Sequence, residues 1–174
     1  FGVVPADINE DVLPVEQPSE HVMRLSREKA DAVAGTTRGR FFIGADTVVV
    51  LEGRIMGKPA DEAEAFEMLS ALSGRNHEVI TGFCVYDKVS SIHLSRSVRT
   101  EVTFKELCER EIRAYIATGC PMDKAGAYAI QGLAGAFVRA IRGSYSNVVG
   151  LPLCETWQLL GSHCIATKLA PADD

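Results

Sequence analysis

The feature that most constrains this sequence is the run Phe41-Phe42-Ile43-Gly44-Ala45-Asp46-Thr47-Val48-Val49-Val50-Leu51, largely apolar and β-branched, with one carboxylate inside it. Such a run is long enough for a buried strand. A carboxylate within it is costly to bury unless it is paired or bound to a metal. Asp46 is therefore either a metal ligand or general base at a site, or a strand-end aspartate in a turn. Glu52-Gly53 then turns the chain into the short run Arg54 to Met56, which predicts a hairpin.

Around that hairpin, helical and strand periodicities mingle. Val22, Leu25, Ala32 and Val33 fit a helix from Ser19 or Glu20 to Ala34, with Gly35 at its stop and Lys29 on its apolar stripe. Asp61 is placed to cap a helix whose Ala65, Met68, Leu69 and Leu72 share a face, closed by Gly74. His77 to Tyr86 and Ile92 to Phe104 predict two long antiparallel strands, the second alternating Val98, Thr100, Val102 and Phe104 against Arg99, Glu101, Thr103 and Lys105. Cys108, Ile112, Tyr115 and Ile116 mark a further helix, followed by the short apolar runs Ala127 to Ile130 and Ala136 to Ile141. A last helix has Pro152 in its first turn and Leu153, Trp157 and Leu160 on one face. With no strict βαβ repeat, the pattern favours an α/β fold, a mixed sheet with helices on its faces. Phe1 to Pro5 reads as an apolar strand entered mid-protein, so a segment upstream is expected.

Length and composition suit one core without staples: 174 residues, 47% of them hydrophobic, form a single expected unit over 1–165 with a frayed tail over 166–174. The five cysteines, at 84, 108, 120, 154 and 164, are scattered and predict reduced, buried or partly buried thiols. A net charge of −5 argues against a non-specific binder of nucleic acid polymers. No stretch has the apolar length of a membrane span, so a cytoplasmic protein without a membrane partner is expected.

Other residues carry chemistry only in combination. Lys29 and Lys58, the latter in Gly57-Lys58-Pro59, are counter-charges for phosphates if they point inward; otherwise Lys29 covers apolar surface with its stem and Lys58 is a turn lysine. Asp123 to Gly132 is dense in small residues, which lets a ligand approach the backbone, and its buried-looking Gln131 has the donor and acceptor to read a base edge. Gly143 to Pro152 leads into a helix N-terminus, which is either an anion site or a plain loop and cap. Asp7, Glu10 and Asp11 form a solvated turn or else complete a hard-cation site with Asp46, one suited to Mg²⁺ or Mn²⁺. The histidines at 21, 77, 93 and 163 are isolated and suggest neither a zinc site nor a Ser-His-Asp set.

Four ordered blocks resemble the Maf family from Phe1 to about Leu160. They are Pro5-Ala6-Asp7-Ile8-Asn9-Glu10; Arg24-Leu25-Ser26-Arg27-Glu28-Lys29-Ala30; Gly44 to Val49 through Gly57-Lys58-Pro59, Leu72 to Val79 and Thr81-Gly82; and Asp123 to Gly132 with Asn147-Val148-Val149-Gly150-Leu151-Pro152. The resemblance implies a Maf- or ITPase-like fold, a mixed twisted sheet with helices on both faces around a central cleft. It also implies hydrolysis of a nucleoside triphosphate between the α- and β-phosphates, with a divalent cation (Mg²⁺, Mn²⁺ or Co²⁺) as cofactor and a homodimer as assembly.

On the same resemblance Asp46 takes the position of the proton acceptor. Glu10, Lys29 and Lys58 match positions tied to metal or phosphate, with Glu10 and Asp46 as metal ligands, and Thr47 and Gln131 match positions tied to substrate choice. Ile130-Gln131-Gly132 resembles the branch acting on dTTP and UTP, where the branch acting on 7-methyl-GTP has a Ser-Glu-Gly type sequence. Two departures stand out. The family's opening strand and Ser-x-Ser-Pro-Arg-Arg phosphate loop are missing from these residues, and the usual Asp-Glu pair is Asn9-Glu10. The alternatives are a septum-formation regulatory protein whose effect needs no catalysis, and a pyrophosphatase for modified pyrimidine nucleotides.

Overall fold

The computed structural model describes residues 1–163, 165 and 167; Cys164 and, Thr167 aside, the tail expected over 166–174 lie outside them. Helix α1 (Pro18–Thr36) is followed by strands β1 (Phe41–Leu51) and β2 (Arg54–Met56), helix α2 (Glu62–Leu72), strands β3 (Asn76–Asp87) and β4 (Ile92–Phe104), helix α3 (Glu109–Ile116), strand β5 (Val138–Arg142) and helices α4 (Tyr145–Val149) and α5 (Leu153–Ser162). The strands form one five-stranded sheet in the order β2-β1-β3-β4-β5. The α/β class is as expected, and the strand directions are narrower than expected, since every pairing is antiparallel.

Strand alternation gives the sheet two faces. On one face α1 lies across β1 and β3, packing Val22 on Val48, Val50 and Ile80, and Ala30 and Ala34 on Phe42 and Cys84. Two glycines set how closely it lies. A Cβ at Gly44 would run into the Ser26 carbonyl, and one at Gly82 into the Val22 carbonyl, so the helix backbone rests on the strand backbone. On the other face Val49, Leu51, Val79, Val102 and Phe104 meet Leu69 and Leu72 of α2 and Ile112 and Tyr115 of α3. The α2 terminus forms as its sequence predicts, the Glu64 N–H donating to Asp61 Oδ1 at 2.8 Å.

Several expectations need correction. Phe1 to Pro5 is exposed and belongs to no described strand; its apolar residues find no pairing there. Gly35 lies inside the last turn of α1 and does not stop it. Of the apolar run Ala127 to Ile130, Ala127 ends a short 3₁₀ turn over Ala125–Ala127 and the rest is irregular chain, with Gly126 and Ala127 both at positive φ. Pro152 is the N-cap of α5 and not in its first turn, and with Thr156 and Leu159 it forms the buried stripe, one residue round from Leu153, Trp157 and Leu160; Leu153 is exposed. Cys84 is buried, but Cys108, Cys120 and Cys154 are exposed free thiols.

The sheet leaves one opening that matters. β2 pairs only with Val49 to Leu51, so the edge of β1 from Phe41 to Val48 has no partner strand among the described residues. Asp46 and Thr47 lie on that stretch.

Candidate active site

A cavity of about 410 Å³ opens beside the middle of β1, and Glu10, Lys29, Asp46, Thr47, Lys58 and Gln131, the six residues given site roles by the family resemblance, line it. They arrive from five segments of the chain, and the alternation of β1 divides them. Asp46 points toward α1 and Thr47 toward α4, so the open edge lets residues from both sheet faces share one space.

On the α1 side four charged groups alternate in sign. Lys29 Nζ donates to Asp46 Oδ1 at 2.6 Å and sits 2.6 Å from Glu10 Oε1, while Lys58 Nζ donates to Glu10 Oε2 at 2.8 Å. Asp46 has 9% of its side chain exposed and Lys58 has 56%, so the chain of charges runs from the core to solvent. Hydrogen bonds from Lys29 and then Lys58 hold the Glu10 carboxyl down at about 2, against the opposing effect of partial burial. Burial works to lower the Lys29 pKa, but its bonds to Asp46 and Glu10 outweigh this and hold it above the ordinary lysine range.

Glu10 belongs to irregular chain, and a second cluster fixes it there. Arg24 donates to Glu16 at 2.7 and 2.9 Å and to the Asp11 carbonyl at 3.0 Å, while His21 Nδ1 lies 3.0 Å from Glu16 Oε2. Asp7 and Asp11 do not line the cavity, so only Glu10 of the early acidic group joins Asp46. Lys58 is placed by the turn after β2, where the Gly126 N–H donates to the Gly57 carbonyl at 2.9 Å.

On the other side Thr47 Oγ1 lies 2.8 Å from Thr81 Oγ1, which donates to the Asn147 carbonyl at 2.9 Å. The Asn147 amide donates to the Val79 carbonyl and to Thr100 Oγ1, both at 3.0 Å. The N-terminus of α4 is capped by the Ser144 hydroxyl, and the Leu153 N–H of α5 donates to Ser146 Oγ. The Gly143 to Pro152 segment is thus a loop and cap, with these donors used internally. Gln131 is exposed at the rim and not buried, because the chain turns out at Gly132 with φ +107°. Tyr128, on the cavity wall, lies 2.7 Å from Nε2 of buried His77, whose pKa burial pushes down to about 4.

Sequence reasoning gave no role to His21, His77, or the hydroxyl and amide of Thr81 and Asn147. A polar residue inside the apolar run of β3 was the available signal for Thr81. His21 and His77 gave none, since their partners are distant in sequence or spaced without a motif.

A family description, Maf-like protein, matches residues 1–163. The chain belongs to the Maf family. Among curated relatives, a dTTP/UTP pyrophosphatase of Geotalea uraniireducens (strain Rf4) is 62% identical over 155 residues, covering 89% of this chain and 80% of the relative. A protein of the same name from Geobacter sp. (strain M21) is 60% identical with the same coverage. One from Anaeromyxobacter dehalogenans (strain 2CP-C) is 54% identical over 162 residues, 92% of this chain and 81% of the relative. The charged chain Asp46–Lys29–Glu10–Lys58 and the Thr47–Thr81–Asn147 chain are thus the two walls of a Maf cavity.

The donor set bears on whether this Maf cavity suits a metal ion. Among the described residues no three His, Cys, Asp or Glu side chains converge on one point. Glu10 and Asp46 converge on one cation, the ammonium of Lys29, which lies 2.6 Å from each. Two carboxylates suit Mg²⁺ or Mn²⁺, which take one or two protein carboxylates and complete their shell with water and substrate phosphate.

Proposed function

We propose that this Maf protein is a nucleoside triphosphate pyrophosphatase that hydrolyses dTTP and UTP to the monophosphate and pyrophosphate. The observation that carries the reading is the meeting of two carboxylates and two lysines in one cavity, Lys29 bonded to both Asp46 and Glu10 and Lys58 to Glu10. The names of the relatives supply the substrate class. Among the described residues nothing favours the regulatory alternative.

In the proposed reaction the oxygen of a water attacks the α-phosphorus. The bond from that phosphorus to the bridging oxygen breaks, and pyrophosphate leaves with the electron pair. Asp46 takes the proton of the attacking water, the work of a positioned general base. Lys29 and Lys58 neutralise phosphate oxygens as charge develops in the transition state. A divalent cation held by Glu10 and Asp46 would further neutralise the triphosphate. Thr47 and Gln131 meet the nucleoside. The wider reading includes one unit over residues 1–165, a homodimer and a cytoplasmic site of action.

Pyrophosphate release from dTTP, UTP, CTP, GTP and 7-methyl-GTP, with Mg²⁺ or Mn²⁺, tests the proposal. Preferential cleavage of dTTP and UTP supports it. Failure to cleave any of them overturns it.

A further inference from the structure

The direction of the hydrogen bonds behind Thr47 decides what kind of group its hydroxyl is able to meet. A hydroxyl has one proton and two lone pairs. Thr81 is fully buried and has two oxygen neighbours, Thr47 Oγ1 at 2.8 Å and the Asn147 carbonyl at 2.9 Å. The carbonyl is only an acceptor, so the proton of Thr81 must point at it; turned the other way, buried Thr81 would set a lone pair against a lone pair at that distance. With its proton so placed, Thr81 accepts from Thr47. The proton of Thr47 is then turned into the protein, and its lone pairs are what remain for the cavity.

Asn147 gives this arrangement a rigid end. Its side chain is buried and donates to the Val79 carbonyl and to Thr100 Oγ1, and its carbonyl also accepts the Gly150 N–H at 3.0 Å. The acceptor that orients Thr81 is therefore part of the seam between α4 and the sheet. Gly150 lies beside the threonine, where a Cβ would stand 3.7 Å from Thr47 Oγ1, in van der Waals contact with it.

We infer that Thr81 is a positioning residue for substrate choice: through the chain Thr47→Thr81→Asn147 it makes Thr47 an acceptor toward the cavity, selecting a nucleobase that offers a ring N–H. This rests on the proposed pyrimidine triphosphate reading and on Thr47 meeting the base. Uracil and thymine carry a proton on N3, whereas cytosine carries a lone pair there, so an acceptor-only Thr47 favours the first two and repels the third.

The test is the ratio of kcat/KM for UTP over CTP in the wild-type protein, Thr81→Val and Thr81→Ser. Valine removes the hydroxyl at nearly constant volume and frees the Thr47 proton to turn outward. The ratio should fall about fivefold to tenfold, the scale of one hydrogen bond, and serine should restore it to within about twofold. An unchanged ratio in a folded Thr81→Val protein overturns the inference while leaving the pyrophosphatase reading intact. If the valine variant does not fold, uridine triphosphate methylated at N3 tests the same point on wild-type protein. It should be cleaved at least about tenfold less efficiently than UTP, with the penalty reduced in Thr47→Val; equal cleavage of the two compounds by wild type overturns the inference. A wild-type protein that cleaves neither UTP nor CTP defeats the functional reading and this inference together.

Discussion

Lys29 Nζ meets Asp46 Oδ1 at 2.6 Å across the seam where α1 lies on β1. The seam is unusually close at this point. Asp46 stands opposite Gly82 in the β1–β3 register, and the bare backbone of Gly82 is what lets the helix come down over that strand. Ion pair and glycine contact are two parts of one arrangement: the helix must sit low for the lysine to reach a carboxylate in the middle of a strand.

Asp46→Asn should leave the fold intact, because asparagine is nearly isosteric and its amide oxygen still accepts from Lys29. Turnover should fall by on the order of a hundredfold or more, the scale of lost acid–base assistance. Near-normal kcat for UTP, measured on protein with a wild-type circular dichroism spectrum, would refute the role proposed for Asp46.

Lys29→Met should weaken both folding and catalysis. It strands the mostly buried Asp46 without its ammonium, and the loss of a charge-assisted bond corresponds to about 2 kcal/mol. Urea unfolding should show a lower midpoint with an unchanged slope, and Lys29→Arg should recover part of it. Equal midpoints for methionine and wild type would show that the pair contributes nothing to stability.

Gly82→Ala should act at a distance through the helix. A methyl group there collides with backbone atoms of Val22 and Met23, which cannot rotate away. The expected loss of stability is ~1–3 kcal/mol, typical of overpacking, accompanied by lower turnover as Lys29 lifts from Asp46. A melting temperature and kcat both equal to wild type would be incompatible with this packing.

Stability should decline with acid in two windows. His77 is held at about 4, below its ordinary 6.5, because burial disfavours its charged form; a depressed pKa gives stability that is present above pH 6.5 and lost as pH falls toward 4. The Glu16 carboxyl is held at about 2, below its ordinary 4.5, chiefly by its bonds from Arg24, so its contribution is complete above pH 4.5 and lost as pH falls toward 2. Unfolding free energy measured against pH should lose its upper slope in His77→Phe and have its lower slope reduced in Glu16→Gln, the remainder coming from carboxyls such as Glu10 that are held down in the same window. Unaltered slopes in both variants would contradict these assignments.

Much of this protein was legible in the chain because its signals are local. The β1–β2 hairpin, the alternation of β4 and the Asp61 cap of α2 each depend on residues a few positions apart, and each forms within a residue or two of expectation. The six candidate residues were legible for another reason: Asp46 conflicts with the apolar run around it, and the others fall in blocks that resemble Maf proteins. Tertiary structure decided what those residues do to one another. Asp46 and Thr47 are neighbours in sequence yet reach opposite faces of the sheet, one meeting Lys29 of α1 and the other Thr81, itself bonded to Asn147 of α4. Nor did sequence show that Gln131 is exposed, that Asp7 and Asp11 stay out of the cavity, or that α5 buries a stripe one residue round from its apolar one. Sequence specified the groups and their local geometry; the direction of the Thr47 proton depends on a carbonyl 66 residues further along from Thr81, and only the folded sheet brings the two within hydrogen-bonding distance.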